Sequence, residues 1–324
     1  MKSRQMISRV LEEVDLADAN PTPLGRSGAS VLLVEKGNRK YVLKLDKTPD
    51  EGALLKNVLM SFLPRSRYLN KEILIYRQLG RERRKAFTFP KALRYQENRY
   101  LLMEYVHGTS GWDRKRVSDR ELAAALIEFN QIGESLAADP LFSTHRSVAV
   151  KPVHKIVIWT VTKVLLTQGT ASCFRCLKTL RTCVSKQQKL PFTFMIHRDL
   201  SNKDNNVLTT DENVCFFDFE SVILEDKWVL QDLLDMAVSL DLRVNTDLVK
   251  AYLEKMKETG CDVSAIDVPT QLRMMLLFRM IQRIHSKKEF LKPFRQQSIR
   301  FFHNVLLDDG AYAQWFSEHV DIGG

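Results

Sequence analysis

The chain has 324 residues, 44% of them apolar, with 49 Lys and Arg against 39 Asp and Glu and a formal net charge of +10. That is enough chain for a substantial core and more than one core usually accommodates, so two lobes are expected. No apolar run is long enough to cross a bilayer, and Met1–Val10 lacks the apolar stretch of a secretory signal, which excludes a membrane-spanning or exported class and predicts a cytoplasmic protein.

From its start the chain reads as a short amphipathic segment (MISRVLEEV) followed by an extended stretch through Asn20-Pro21-Thr22-Pro23. Val31–Glu35 and Lys40–Leu45 are branched, apolar runs separated by Gly37-Asn38, the pattern of a β-hairpin. Before it lies the small-residue loop Leu24–Ser30, containing Gly25 and Gly28. Phosphates need backbone N–H groups at close range, and small residues leave room for that approach. Residues 50–69 read as a connection with a short helix, and from Asn70 apolar residues recur at helical spacing. Glu72 falls in the first turn of that helix. Phe89–Leu93 and Arg99–Tyr105 read as strands, and the second runs on into Val106-His107-Gly108.

The rest reads as mainly helical. Asp119–Ala138 has the i, i+3, i+4 apolar spacing of an amphipathic helix. Val153–Leu166 and Cys173–Val184 read as two more, and 228–240 (WVLQDLLDMAVSL) is apolar nearly all round, so it is expected to be buried with partners for Asp232 and Asp235. Helices are expected near 248–257, 270–285 and 290–307. Between Asp139 and Asp199 there is no acidic residue, while Arg146, Lys151, Lys155, Lys163, Arg175, Lys178, Arg181, Lys186, Lys189 and Arg198 are all basic. Such a stretch attracts anionic small molecules, membrane surfaces or nucleic acid, or serves only as a solvated face. Five cysteines without a second C-x-x-C pair or a nearby His read as reduced thiols rather than a zinc site.

The most informative stretch is 195–220, MIHRDLSNKDNNVLTTDENVCFFDFE. Its His197-Arg198-Asp199, Asn205-Asn206 and Asp218-Phe219-Glu220 resemble the catalytic and metal-binding loops of the protein-kinase-like superfamily. The residues upstream occur in that superfamily's order: the glycine loop, Lys44 in Tyr41-Val42-Leu43-Lys44, Glu72, and Met103-Glu104-Tyr105-Val106 as the hinge. The resemblance covers about residues 24–240. It implies an α+β, two-lobed fold, with a small β-rich nucleotide-binding lobe at 1–107 and a larger helical lobe at 108–324. It also implies ATP and Mg²⁺ as cofactors and phosphoryl transfer to an alcohol.

By that resemblance Asp199 is the catalytic base and Asp218 the main metal ligand. Lys44 contacts the phosphates and pairs with Glu72, Gly25 and Gly28 cradle phosphate, and Glu104 and Val106 belong to the adenine-binding hinge. His197 and Arg198 are scaffold. The superfamily places an Asn five residues after the catalytic Asp; here Asp204 stands at that position, and Asn205, Asn206 and Asp204 all remain open as the second metal ligand. An aspartate on the helix after the metal loop should brace the catalytic loop, and the pattern leaves Asp232 and Asp235 equal.

Glu220 after Asp218-Phe219, and the absence of an activation segment before Trp228, resemble the aminoglycoside and choline phosphotransferases and the lipopolysaccharide-core sugar kinases more than protein kinases. The acid-free segment favours an anionic sugar or glycolipid acceptor and peripheral contact with the inner face of a membrane. The alternatives are an aminoglycoside/choline-type kinase and a pseudokinase binding module, in which the irregular Asp204-Asn205-Asn206 loop marks lost metal chemistry. No nucleic-acid-binding module is recognisable, so no nucleic-acid partner is expected.

Overall fold

The hairpin around Gly37-Asn38 forms as β2 (Val31–Lys36) and β3 (Arg39–Leu45), and Gly37 takes the positive φ of 57° that its tight turn requires. The computed structural model describes residues 2–24, 31–46, 66–81, 86–140, 157–158, 160–200, 206–211, 213–285 and 289–322. With β1 (Asn20–Pro23), β5 (Ala92–Gln96) and β6 (Tyr100–Glu104) the hairpin builds an antiparallel sheet of order β1-β2-β3-β6-β5.

Alternation along β6 decides what covers each face. Tyr100 and Leu102 join Leu32, Val34 and Leu43 against Val10, Leu11 and Val14 of and after α1 (Lys2–Glu13). Leu101 and Met103 face the opposite way, into the core with Ile73 and Leu79 of α2 (Ser66–Arg81).

The strand expected over Phe89–Leu93 forms differently. Phe87–Thr88 (β4) pairs in parallel with β10 (Val214–Phe216), and a separate strand begins only at Ala92. Pro90, which lacks an N–H for a ladder, falls between them. A second sheet then runs β4-β10-β9-β7, with β7 at Thr109–Ser110 and β9 at Val207–Thr209, while β8 (Phe194–Ile196) pairs with β11 (Ile223–Glu225).

α3 (Asp119–Ala138) spans the predicted residues, opened by a capping box between Ser118 and Glu121. It packs on β8 so closely that a Cβ on Gly133 would lie 2.4 Å from the backbone N of Met195. A π-helical turn (Thr160–Val164) leads into α4 (Leu165–Lys186), which joins the two predicted helices through a kink at Gly169, φ 83°.

Two helices are shorter than expected. α5 covers only Gln231–Ala237, because Val238 leaves to bridge Val244 while the Leu230 N–H is held by Gln271 Oε1. The segment expected as one helix over 290–307 divides into a 3₁₀ turn holding Pro293, α8 (Arg295–Phe301) and a π turn (Phe302–Leu306). Proline cannot donate its missing N–H to a regular helix interior. α6 (Thr246–Glu258), α7 (Val268–His285) and α9 (Asp309–His319) complete the helical region. Five free cysteines include four that are buried. Burial pushes the Cys176 and Cys183 thiols up to about 11 and that of Cys215 to about 12, well above neutral pH.

Candidate active site

β3 delivers Lys44 to the sheet face covered by α2. There its Nζ lies 2.7 Å from Glu72 Oε2, and both side chains are buried. The same ammonium contacts Asp218 Oδ1 and lies 3.8 Å from Glu220 Oε2. Burial alone would lower the Lys44 pKa, but the carboxylates of Glu72, Asp218 and Glu220 outweigh it and hold the ammonium above the ordinary lysine value. Burial pushes the Glu72 carboxyl above the ordinary value against the pull of Lys44. Glu72 Oε1 also accepts the Phe219 N–H at 3.2 Å, tying α2 directly to the loop that carries Asp218.

Phe219 anchors that loop. It is fully buried, 4.9 Å between ring centroids from Tyr76 on α2, stacked at 5.8 Å on Phe129 of α3, and edge-on to His197 at 5.6 Å. Asp218 itself takes φ 62°, a left-handed conformation unusual for a residue other than glycine. The β9–β10 hairpin pairs Val207 with Phe216, and one step further the Phe217 N–H donates to Asn206 O at 3.2 Å, placing Asn206 beside the residue before Asp218.

The catalytic-loop candidate is built around a buried acid. Asp232 Oδ2 accepts the His197 N–H at 2.7 Å and Oδ1 accepts the Arg198 N–H at 2.9 Å, so the brace is Asp232. Asp235 turns instead to Arg279, at 3.0 Å. Arg198 sits at φ 69°, and its two-point tether through consecutive N–H groups holds this uncommon conformation immediately before the exposed Asp199. Left-handed backbone at two adjoining loop positions is a strain that tertiary contacts must maintain, a pattern common at functional sites. Burial raises the Asp232 carboxyl to about 7, while the two N–H donors and Asn130 oppose that rise.

His197 completes the link: its Nε2 donates to Phe217 O at 2.8 Å, and burial lowers its pKa to about 4, so the ring is neutral. With Nε2 carrying the proton, Nδ1 is the bare nitrogen, consistent with its having no partner among the described residues. Asn206 Nδ2 donates to the backbone O of Asp199 at 3.1 Å. The structure therefore brings Lys44, Glu72, Asp199, Asn206 and Asp218 into one connected cluster.

The other predicted positions divide. Glu104 and Val106 follow the end of β6. The Glu104 N–H donates to Lys91 O, and the Tyr105 N–H to Lys40 O, leaving Val106 as the next half-buried backbone position of the hinge. Gly25, Gly28, Asp204 and Asn205 lie outside the described residues. Two residues at the site were not singled out in the sequence. Buried Lys71 donates to Val222 O at 2.8 Å, and its pKa is lowered to about 8 by burial and then by Arg198. Asn130 on α3 donates to Met195 O at 2.7 Å and to Asp232 at 3.3 Å, while the Tyr252 hydroxyl donates to its Oδ1. A polar amide amid the apolar face of 119–138 was the available signal for Asn130; Lys71 carried none beyond its place next to Glu72.

For a divalent ion the donor chemistry fits. Asp218 offers a carboxylate and Asn206 an amide oxygen, both hard ligands. Among the described residues no cluster of three His, Cys, Asp or Glu gathers. Such carboxylate and amide oxygens suit Mg²⁺, which keeps several waters and takes further oxygens from substrate phosphates.

No protein-family model matches the sequence, and no curated protein matches it. Solved structures do. A choline kinase from Streptococcus pneumoniae superposes with a TM-score of 0.59 at 11% identity, over 94% of this chain and 100% of that one. An ADP-bound aminoglycoside phosphotransferase gives 0.54 at 17% identity, over 94% and 96%. An ethanolamine kinase from Plasmodium vivax gives 0.54 at 11% identity, over 92% and 86%. With its β-sheet N-terminal region, its helical C-terminal region and these superpositions along nearly the whole chain, the protein has the protein-kinase-like fold.

Proposed function

We propose that this protein is an ATP- and Mg²⁺-dependent phosphotransferase that phosphorylates a hydroxyl group of a small molecule, in the manner of the choline, ethanolamine and aminoglycoside kinases whose fold it shares. The observation that carries this reading is Lys44 held between Glu72 and Asp218, next to a loop on which Asp232 fixes the His197 and Arg198 backbone immediately before Asp199. The lobes divide near 107/108 in this reading, with the nucleotide between them.

Phosphoryl transfer asks mainly for positioning and charge neutralisation. Lys44, kept protonated by its carboxylates, holds the non-transferred phosphates. Gly25 and Gly28 offer backbone N–H groups to phosphate, and Glu104 and Val106 offer the hinge backbone to the adenine. Asp218 with Asn206, Asn205 or Asp204 would hold Mg²⁺, which when bound would neutralise phosphate charge. Asp199 orients the acceptor hydroxyl and accepts its proton as the hydroxyl oxygen bonds to the terminal phosphorus and the bond to the ADP oxygen breaks.

The narrower acceptor first expected, an anionic sugar or glycolipid such as a lipopolysaccharide core, rests on the acid-free segment and on the resemblance of the His197-Arg198-Asp199 and Asp218-Phe219-Glu220 motifs. The choline- and aminoglycoside-type alternative has the fold likeness behind it and is the better supported. Peripheral contact with a membrane surface rests on the same basic segment and is independent of which acceptor is used.

An ATP-consumption screen over choline-like alcohols, aminoglycosides, sugars and glycolipids tests the proposal. Turnover with one acceptor class should fall by about a hundredfold or more in both Asp199→Asn and Asp218→Asn, the usual scale for losing a general base. Mg²⁺-dependent turnover that survives both substitutions would reject these roles, and no turnover with any class would favour the pseudokinase.

A further inference from the structure

We propose that the outward face of residues 157–184 is a docking element that seats its apolar side chains in the surface of an anionic lipid bilayer. Among the described residues nine large apolar side chains are exposed, and seven of them fall between 157 and 184; Leu166 is 81%, Phe174 72% and Ile158 55% exposed. Isolated exposed apolar residues need no explanation, but a concentration on one element marks an interaction surface.

The inner face of the same element is already satisfied. Val164, Cys173, Cys176, Leu180 and Cys183 enter the main core, and α4 packs against α7. The outer apolar residues are therefore surplus to folding.

Charge selects the occupant. The sequence from 140 to 198 contains no Asp or Glu, and Lys163, Arg175, Lys178 and Arg181 are interleaved with the exposed apolar residues. Of the elements packed alongside, α8 adds the cation Arg295. Burial and then the cations Lys163 and Arg295 lower the pKa of His285, which lies 3.4 Å from Thr167, and burial and then Arg175 lower that of His303, which lies 3.0 Å from Gln168, so neither ring adds charge to the face. Near the far end of α4, Asp309 faces Lys178 and Lys186 but is itself paired with Arg273 at 2.6 Å.

Exposed Leu, Ile, Val and Phe among Lys and Arg is the composition of an interfacial helix, whose apolar groups enter the acyl boundary while its cations meet anionic headgroups. No described helix is long and apolar enough to cross a membrane, so the contact lies in the plane of the surface. Pairing this face with a second copy would set like-charged cations against each other. Nucleic acid would gain little from aliphatic side chains that cannot stack on bases.

The inference goes beyond the phosphotransferase reading and does not depend on it, because binding is measured without nucleotide or acceptor. The full chain is sedimented with vesicles of phosphatidylcholine containing phosphatidylglycerol, and with phosphatidylcholine alone. The expected result is binding to the anionic vesicles only. A double variant Leu166→Ser/Phe174→Ser should lose at least about tenfold in affinity, since each apolar group seated in the bilayer contributes. A second variant, Lys178→Glu/Arg181→Glu, should lose a comparable amount and abolish the preference for phosphatidylglycerol. Both variants replace exposed side chains, and unchanged circular dichroism and melting temperature serve as the folding control. Absence of binding to anionic vesicles, or variants that bind as tightly as the parent, would overturn the proposal. So would a parent chain that self-associates in gel filtration while Leu166→Ser/Phe174→Ser is monomeric, which would assign the face to a second copy.

Discussion

Two buried ionisable side chains do opposite work around the candidate site. Asp232 is fully buried and spends its oxygens on the N–H groups of His197 and Arg198, so it fixes backbone rather than neutralising a cation. Lys71, also buried, gives its ammonium to Val222 O on the strap that follows Phe219. Its folded pKa of about 8 lies below the ordinary 10.5. Between those values the unfolded chain binds a proton that the folded chain does not, so this residue makes stability rise with pH from about 8 to 10.5. Comparing denaturant unfolding of the parent with Lys71→Met across that range should show the parent gaining on the variant by up to about 1.4 kcal/mol per pH unit. A difference that stays constant with pH would show that Lys71 keeps its proton. Lys44, Glu72, Asp199, Asn206 and Asp218 were legible as residues, because each carries a chemical group in a recognisable order. Lys71 and Asn130 were not, because what defines them is burial beside carbonyls far away in sequence, Val222 O and Met195 O.

At the level of elements, α3 is the platform on which the loop carrying Asp199 rests. Asn130 and Gly133, three residues apart on one helical face, meet β8 together: one bonds Met195 O, and the other has no side chain where the Met195 backbone passes. Gly133→Ala therefore forces backbone apart and should destabilise by about 1–3 kcal/mol or more. Gly80→Ala, on α2 with nothing within 4 Å of the new methyl, should be neutral or stabilising by up to about 1 kcal/mol. Thermal denaturation of the pair checks this, and equal effects at the two sites would contradict the close approach. The span of 119–138 was readable because its apolar period is a local property of the chain. The early end of α5 was not, since it follows from Val244 bridging Val238 and from Gln271 taking the Leu230 N–H.

Over the whole molecule, one hydrophobic core runs from Ile73, Leu79, Leu101 and Met103 in the N-terminal region through Phe129 and Phe216 to Leu272 and Phe302 in the helical region. A smaller cluster under α1 covers only the outer face of the five-stranded sheet. Because α2 and β6 share the large core with the C-terminal helices, the two regions should unfold together. Tryptophan fluorescence from the chain's four tryptophans, Trp112, Trp159, Trp228 and Trp315, and far-ultraviolet circular dichroism are expected to superimpose in urea. A separate early dichroism transition would show that the sheet is an independent unit.

Periodicity, caps, turns and motif order are local properties of the chain. They carry the kinase-like architecture and single out Lys44, Glu72, Asp199 and Asp218. The choice of Asp232 over Asp235 was beyond their reach, as were the left-handed Arg198 and Asp218, the coupling of Phe219 to α2 and α3, and the outward turn of Leu166 and Phe174. Each of these depends on which surfaces meet and which remain in water. That is settled only when segments from about thirty to well over a hundred residues apart bury their apolar faces against one another and every enclosed N–H must find an acceptor.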